Sequence, residues 1–312
     1  MTFQSRQKKR LGEYALERYG VKGHVLPYEH VVETLHESYR DQTLTYFAKH
    51  KIKWWSSKYD VGRPRLGPDD AGAPTGHLNS SQVAAVNHLE PARLDANVAP
   101  RLLTNVDLAL EEPLVLEDGG FVAYEWIGEE NYLDEPGARS RGAQVTSLDA
   151  LMCGRRAGGG VTLITFEWKY LESYGPESWA TSSRGTDRVA IYRPLLEHRD
   201  CPITVADPTH LFYDPYEQLM RQTLLAWQMV EHREFGADDW LHVHVIPEEN
   251  LALRGRSGAA PNLIGPTTGE AWQSVLKAPE RYRLLTATDL LTGIGAGRWS
   301  DWREWLRDRY LT

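Results

Sequence analysis

The stretch Val161-Thr-Leu-Ile-Thr-Phe-Glu-Trp-Lys-Tyr170 is a continuous apolar run that ends in two opposite charges. Such a run, rich in β-branched and aromatic residues, predicts a buried β-strand. Side chains alternate along a strand, so Glu167 and Lys169 face one side of the sheet and the aromatic residues around them face the other. A solvated surface ion pair is the alternative, but the position of the pair at the end of a strongly apolar strand favours a functional site.

A second strand is predicted over residues 145–153, and the Gly-rich segment 155–160 forms the turn between the two. This turn brings Asp149 across from Glu167, so that two carboxylates and one ammonium cluster on one sheet face. Carboxylate oxygens suit Mg²⁺, which polarises a phosphodiester and lowers the pKa of a bound water. Lys169 would orient or activate that water and stabilise the charge that develops on phosphorus.

The surrounding sequence alternates between helical and strand patterns, with three successive strands that suggest an antiparallel meander. From Ser80 onward the order is α-β-β-β-α-β, which indicates a mixed α/β domain. The predicted elements are a helix capped by Ser80 and closed by Pro91, strands 121–127, 145–153 and 161–170, helices 187–198 and 216–232, and a strand 241–246.

Three regions are predicted along the chain. Residues 1–75 form a basic, helical N-terminal region, with a helical pattern over 28–50 and a Pro- and Gly-rich loop or linker over 62–76. Residues 76–250 form the core domain. Residues 251–312 supply a C-terminal loop and an amphipathic helix, 300–310, that packs on the core.

The order Asp149, then Glu167-x-Lys169 one strand later, resembles the PD-(D/E)XK nuclease superfamily, whose restriction-endonuclease-like fold has an αβββαβ core. Three strings further resemble a group of bacterial proteins described as restriction endonucleases: Ser80-Ser81-Gln82, Thr146-Ser147-Leu148-Asp149 and Phe166-Glu167-Trp168-Lys169-Tyr170. The resemblance covers about residues 75–250. It implies an α/β fold with a mixed central sheet flanked by helices, extended by helical N-terminal and C-terminal additions.

The resemblance also implies roles for individual residues. Asp149 and Glu167 would be ligands of Mg²⁺, or of Mn²⁺, the backbone carbonyl of Trp168 would be a further ligand, and Lys169 would be the catalytic lysine. Superfamily members often carry another glutamate. Glu90 on the first core helix and Glu125 on the first strand are alternatives for this third carboxylate.

The helix after the third strand carries Gln218, Arg221 and Gln222. Gln218 and Gln222 are four residues apart and share a helix face, with Arg221 nearby. We expect these side chains to contact a phosphate or to hold the active-site lysine. A solvated helix face is the alternative.

The charge distribution bears on a nucleic-acid partner. The chain has 35 Lys and Arg against 43 Asp and Glu, a net charge of −8, which argues against a surface that is basic throughout. Residues 1–65, however, hold thirteen Lys and Arg and seven Asp and Glu, so this region is locally basic. Lys51 and Lys53, interleaved with aromatic residues, are the candidate DNA contacts. Trp54 and Trp55 are expected in the core.

Other features narrow the class of protein. No apolar stretch approaches the roughly 18 residues of a membrane span, and the N-terminus has no secretory pattern. Two cysteines, Cys153 and Cys201, are too few for a disulfide framework or a structural zinc site. We expect a cytoplasmic protein with no membrane partner and with DNA as its partner, and a homodimer is among the assemblies left open.

The leading hypothesis is a Mg²⁺-dependent endonuclease that hydrolyses phosphodiester bonds in DNA, with the resemblance pointing to restriction or phage defence. A second hypothesis is a nuclease-fold DNA-binding subunit without turnover. The intact set of Asp149, Glu167 and Lys169 favours the first. A third is an unrelated metal-dependent hydrolase that uses His242 and His244, which share one strand face but lack a third ligand at a telling distance.

Overall fold

The computed structural model describes residues 1–20, 33–55, 72–143, 145–182, 185–255 and 263–310. Within these ranges one mixed sheet of six strands runs in the order β1-β3-β4-β5-β6, with β2 also paired to β3. The strands are β1 (Leu110–Pro113), β2 (Ala123–Trp126), β3 (Leu148–Arg156), β4 (Val161–Trp168), β5 (Asp239–Val245) and β6 (Tyr282–Leu285). The mixed α/β class is confirmed, and the arrangement is consistent with a restriction-endonuclease-like fold.

Strand direction changes in the middle of the sheet. β2 and β4 each pair with β3 in the antiparallel sense, as the predicted meander requires. β1, which was not predicted, also pairs with β3 in the antiparallel sense. β4 pairs with β5, and β5 with β6, in the parallel sense. Parallel neighbours need a long crossover connection, and the segment between β4 and β5 contains two helices. The carboxyl ends of β4, β5 and β6 therefore lie side by side at the same end of the sheet.

Helices cover both faces of this sheet. Along β4, Ile164 and Phe166 enter one hydrophobic core while Leu163 enters the other, as expected from side-chain alternation. The helices are α1 (Phe3–Tyr19), α2 (Arg40–Lys49), α3 (Ser81–Leu94), α4 (Ala99–Val106), α5 (Arg188–Leu196), α6 (Tyr216–Glu231), α7 (Leu251–Arg254), α8 (Thr268–Gln273), α9 (Ala287–Leu290) and α10 (Ser300–Tyr310). None of the helices in the described ranges is long and apolar enough to cross a membrane.

The helix that begins after Ser80 shows how tertiary contacts change a boundary. Ser80 is the N-cap, and its hydroxyl accepts a hydrogen bond from the backbone N–H of Val83 at 3.3 Å. The prediction that Pro91 closes this helix is wrong, because the helix continues to Leu94. Proline has no N–H to offer the carbonyl of Asn87 one turn earlier. That carbonyl instead accepts hydrogen bonds from the hydroxyl of Tyr39 and the indole N–H of Trp302, the latter at 2.8 Å.

Several other boundaries differ from prediction. The helical pattern over 28–50 yields only α2, since residues 33–39 are not helical and 21–32 lie outside the described residues. Most of the predicted loop 62–76 also lies outside them. α1 lies in the N-terminal region that was predicted to be helical, although no separate helix was predicted there. The edge strands β1 and β6, each four residues long, were not predicted. β6 belongs to the predicted C-terminal addition and is nevertheless part of the central sheet.

Candidate active site

The regular pairing of β3 and β4 ends at one carboxylate. The last registered pair at this end of the two strands is Ala150 with Phe166, so Asp149 lies opposite Glu167. At this point the backbone N–H of Trp168 donates to Oδ2 of Asp149, at 2.7 Å. The carboxylate of Asp149 thus accepts a hydrogen bond from a backbone N–H group just beyond the last paired residues of the two strands. The predicted juxtaposition of Asp149 and Glu167 across the two strands is present.

Glu167 is the centre of the group and is only 2% exposed. Nζ of Lys169 lies 2.5 Å from its Oε1 atom. Its Oε2 atom accepts a hydrogen bond from Nε2 of Gln222, which also donates to the carbonyl of Ser147 at 3.0 Å. Gln222 therefore joins α6 to Glu167 on β4 and to Ser147, the residue just before β3.

Glu125 on β2 is the third carboxylate near this group. Its Oε1 atom accepts a hydrogen bond from Nε2 of Gln82 at 2.7 Å, and its Oε2 atom accepts one from the hydroxyl of Ser147 at 2.6 Å. Its backbone is left-handed, with φ of 50°, a conformation that costs a non-glycine residue on the order of 1 kcal/mol. Residues in such conformations cluster at functional sites, where their surroundings hold them in place.

The electrostatics of the group follow from burial and like charge. Burial raises the pKa of Asp149 well above its usual value, and the negative charges of Glu167 and Glu125 raise it further. The pKa of Glu125 is likewise raised by burial, and Glu167 adds to the effect. For Lys169, burial alone would lower the pKa, but neighbouring negative groups, Glu167 first, raise it above its usual value. Lys169 is therefore a cation that is stabilised by the surrounding carboxylates, which repel one another.

The donor set fits a hard divalent cation. Burial is the main cause of the raised pKa of Asp149, and repulsion from Glu167 and Glu125 adds to it; a cation between Asp149 and Glu167 would relieve this repulsion. Across the described ranges, no three His, Cys, Asp or Glu side chains form a metal-binding cluster by themselves. Mg²⁺ does not need one, because it commonly takes one or two carboxylates and keeps several waters.

Glu90, the other candidate for the third carboxylate, lies elsewhere. It is completely buried on α3, where it forms an ion pair with Arg93 at 3.1 Å and accepts a hydrogen bond from the hydroxyl of Thr43 at 2.9 Å. The helical position that made Glu90 a candidate turns its side chain into the core between α2 and α3. The structure brings Glu125 to the carboxylates, and does not bring Glu90 there.

The three predicted residues of α6 have different surroundings. Gln222 contacts Glu167, and Gln218 is partly exposed one turn earlier on the same helix. Arg221 instead bonds to the hydroxyl of Thr146 at 2.8 Å and forms ion pairs with Glu135 and Glu217, each at 3.2 Å. Its guanidinium is thus engaged in an internal network that holds the segment just before Asp149.

Two residues at the site received no role from the sequence. Gln82 and Ser147 both donate hydrogen bonds to Glu125, and Gln82 also donates to the carbonyl of Lys53 at 3.0 Å. Both lie in the strings Ser80-Ser81-Gln82 and Thr146-Ser147-Leu148-Asp149, and these strings were the available signal. Through Gln82, the basic segment that carries Lys51 and Lys53 is attached directly to the carboxylate group.

His242 and His244 are completely buried on β5, next to β4. Nδ1 of His242 lies 3.3 Å from the hydroxyl of Thr223, and Nδ1 of His244 lies 2.9 Å from that of Tyr282. Burial lowers the pKa of His242 to about 4, so its imidazole is neutral at pH 7. These contacts place both imidazoles in the protein interior, on the strand next to Glu167. Neither imidazole belongs to a three-residue metal cluster among the described residues.

A family model described as Restriction Endonuclease associating with ARP matches residues 2–311. The match covers nearly the whole chain and confirms the resemblance to restriction endonucleases. No curated protein and no solved structure matches the chain.

Proposed function

The chain belongs to the family of restriction endonucleases associating with ARP, and from this premise we propose that it is a divalent-metal-dependent endonuclease that hydrolyses phosphodiester bonds in DNA. The family indicates a nuclease-like role. The observation that carries the rest of the proposal is the group of Asp149, Glu167 and Lys169 at the end of the β3–β4 ladder. A role in restriction or phage defence is the biological setting that fits this activity.

In this proposal Asp149, Glu167 and the carbonyl of Trp168 hold Mg²⁺ or Mn²⁺. When bound, such an ion supplies Lewis-acid stabilisation of the scissile phosphodiester. Glu125 is the third carboxylate, held in place by Gln82 and Ser147.

Lys169 acts on the reacting groups. Its ammonium is held beside Glu167 and stays protonated, so it is suited to orient the attacking water or to stabilise charge that develops on the phosphate. Gln222 is a positioning residue, because it acts through its hydrogen bond to Glu167. The negative charge of the group would repel DNA, and the nearby basic segment with Lys51 and Lys53 would offset this repulsion.

The test is cleavage of a supercoiled plasmid by the full chain, with Mg²⁺ and with excess EDTA. We expect nicked or linear product only with the metal. Glu167→Gln should lose this activity because it removes a charged ligand. Glu111→Gln, an exposed position on β1, is the matched control and should cleave like the wild type. Binding of DNA without metal-dependent cleavage would instead identify a catalytically inert nuclease-fold subunit.

A further inference from the structure

Two adjacent tryptophans near the active site have opposite environments. Trp54 is 2% exposed and stacks on Phe47 with ring centroids 3.8 Å apart. Trp55 is 50% exposed, which contradicts the expectation that both belong to the core. The exposed indole of Trp55 leaves a large, flat aromatic face available for contact with a ligand.

The backbone of Trp55 is held in place by the active site. Its N–H donates to Oε1 of Gln82 at 2.7 Å. Nε2 of the same glutamine donates to Oε1 of Glu125 at 2.7 Å and to the carbonyl of Lys53 at 3.0 Å. One side chain therefore separates the Trp55 backbone from the third carboxylate. The backbone of Trp55 is therefore held close to the carboxylate group.

The surroundings of Trp55 match a nucleic-acid strand. The ring of His77 contacts the indole edge-on, with centroids 5.6 Å apart and planes at 77°, which supports the ring. Lys51, exposed, and Lys53, half-buried, lie in the same segment. Proteins bind single strands by combining cationic groups that follow the phosphates with aromatic rings on which bases stack.

We propose that Trp55 stacks on an unpaired base of the DNA strand next to the cleaved bond, so that the preferred substrate contains a single-stranded segment at the site. This inference rests on the proposed function and adds the substrate class to it. A paired base in an intact duplex has both faces covered by its neighbours, so it cannot use the indole. Base stacking on an aromatic side chain corresponds to roughly 5- to 150-fold in affinity.

The experiment compares the dissociation constants of a labelled single-stranded oligonucleotide and of the fully paired duplex of the same sequence, without divalent metal, by fluorescence anisotropy. Trp55→Ala should weaken binding of the single strand by about 5-fold or more and change duplex binding far less. Trp55→Phe should keep most of the affinity for the single strand. Trp179→Ala is the matched control: its indole is 40% exposed, and its backbone N–H donates to the carbonyl of Phe212 and not to a residue of the carboxylate group. It should bind like the wild type.

Equal weakening of single-strand and duplex binding by Trp55→Ala, or no weakening, would overturn the stacking role. Urea unfolding of each variant verifies that the fold is intact. Plasmid cleavage by the wild type separates the two proposals. Cleavage with no selective Trp55 effect removes only the stacking role, whereas a selective Trp55 effect without any cleavage removes only the nuclease function.

Discussion

The backbone N–H of Trp168 donates a 2.7 Å hydrogen bond to Oδ2 of Asp149. This bond joins the first carboxylate to the middle residue of the Glu-Trp-Lys sequence, where the regular ladder of β3 and β4 has ended. The paired ends of two central strands, β3 and β4, therefore set the distance between Asp149 and the neighbouring pair of Glu167 and Lys169. Sites built on strands are positioned more precisely than sites on loops, which suits chemistry that depends on the placement of charge.

Gln222→Ala should slow cleavage while leaving the protein folded. The substitution removes the N–H donor that holds Oε2 of Glu167 and leaves that buried acceptor unsatisfied. Gln218→Ala, one turn away and partly exposed, is the matched control and should have little effect. The measurement is the single-turnover cleavage rate of both variants at saturating Mg²⁺. Equal rates for the two variants would show that the contact with Glu167 does not position the site.

Arg221→Met should destabilise the protein without weakening DNA binding. The guanidinium pairs with Glu135 and Glu217, both buried. Its removal leaves Glu135 without this cation, while Glu217 keeps its ion pair with Arg188 at 2.5 Å. Breaking a buried pair in this way typically costs about 3–5 kcal/mol. Urea unfolding measures this loss, and anisotropy with duplex DNA measures the affinity. A large loss of DNA affinity in a stable variant would return Arg221 to the role of a phosphate contact.

Because His88 is buried, we expect the free energy of unfolding to depend on pH. Burial lowers its pKa to about 3, while in the unfolded chain it titrates near 6.5. The unfolded state therefore binds the proton more tightly, so the contribution of His88 is complete above pH 6.5 and is lost as the pH falls from there towards 3. Within this window the slope is roughly 1.4 kcal/mol per pH unit.

The measurement for His88 is the free energy of unfolding in urea at pH 7, 6, 5 and 4, for the wild type and for His88→Leu. Leucine has no titratable group, so its slope should be smaller by the amount given above. Other buried groups titrate in the same range, but they are common to both proteins and cancel in the difference. Identical slopes would show that the imidazole of His88 is not held neutral in the folded protein.

Charge reversal of Lys51 and Lys53 should weaken DNA binding and reduce its dependence on salt. If each lysine neutralises one phosphate, loss of both lowers the slope of log affinity against log salt by about 2. Lys8→Glu with Lys9→Glu, two exposed positions on α1, gives a control with the same change in net charge. Equal loss of affinity in both double variants would indicate an effect of net charge alone.

The central strands were predictable because their signals are local. The apolar run of β4, the Gly-rich turn before it and the N-cap at Ser80 each act within a few residues. The short edge strands β1 and β6 carry little pattern of their own and form by pairing with strands far away in the sequence. Likewise, the helix continues through Pro91 because Tyr39 and Trp302, both distant in sequence, satisfy the carbonyl that proline leaves without a donor.

The residues of the candidate site also fall into those that local sequence predicts and those that depend on distant contacts. Asp149, Glu167 and Lys169 come together through a single hairpin, so their spacing in the sequence was sufficient. The choice between Glu90 and Glu125 depended on which way each side chain turns. Thr43 on α2 contacts Glu90, whereas Gln82 and Ser147 contact Glu125, and all three partners are distant in sequence. Contacts between distant segments cannot be read from one sequence.

Lys169→Ala gives the most direct test of the nuclease assignment, through cleavage rate and DNA affinity measured side by side. The substitution removes the ammonium but keeps Asp149 and Glu167. Loss of a group that stabilises the transition state typically costs on the order of 10²–10³ in rate. We predict a loss of that size with DNA affinity changed by less than about 3-fold, because one lysine is a small part of the phosphate contacts. Lys9→Ala, exposed on α1, should match the wild type in both measurements. An unchanged cleavage rate in Lys169→Ala, or a parallel loss of rate and affinity, would contradict the catalytic role of Lys169.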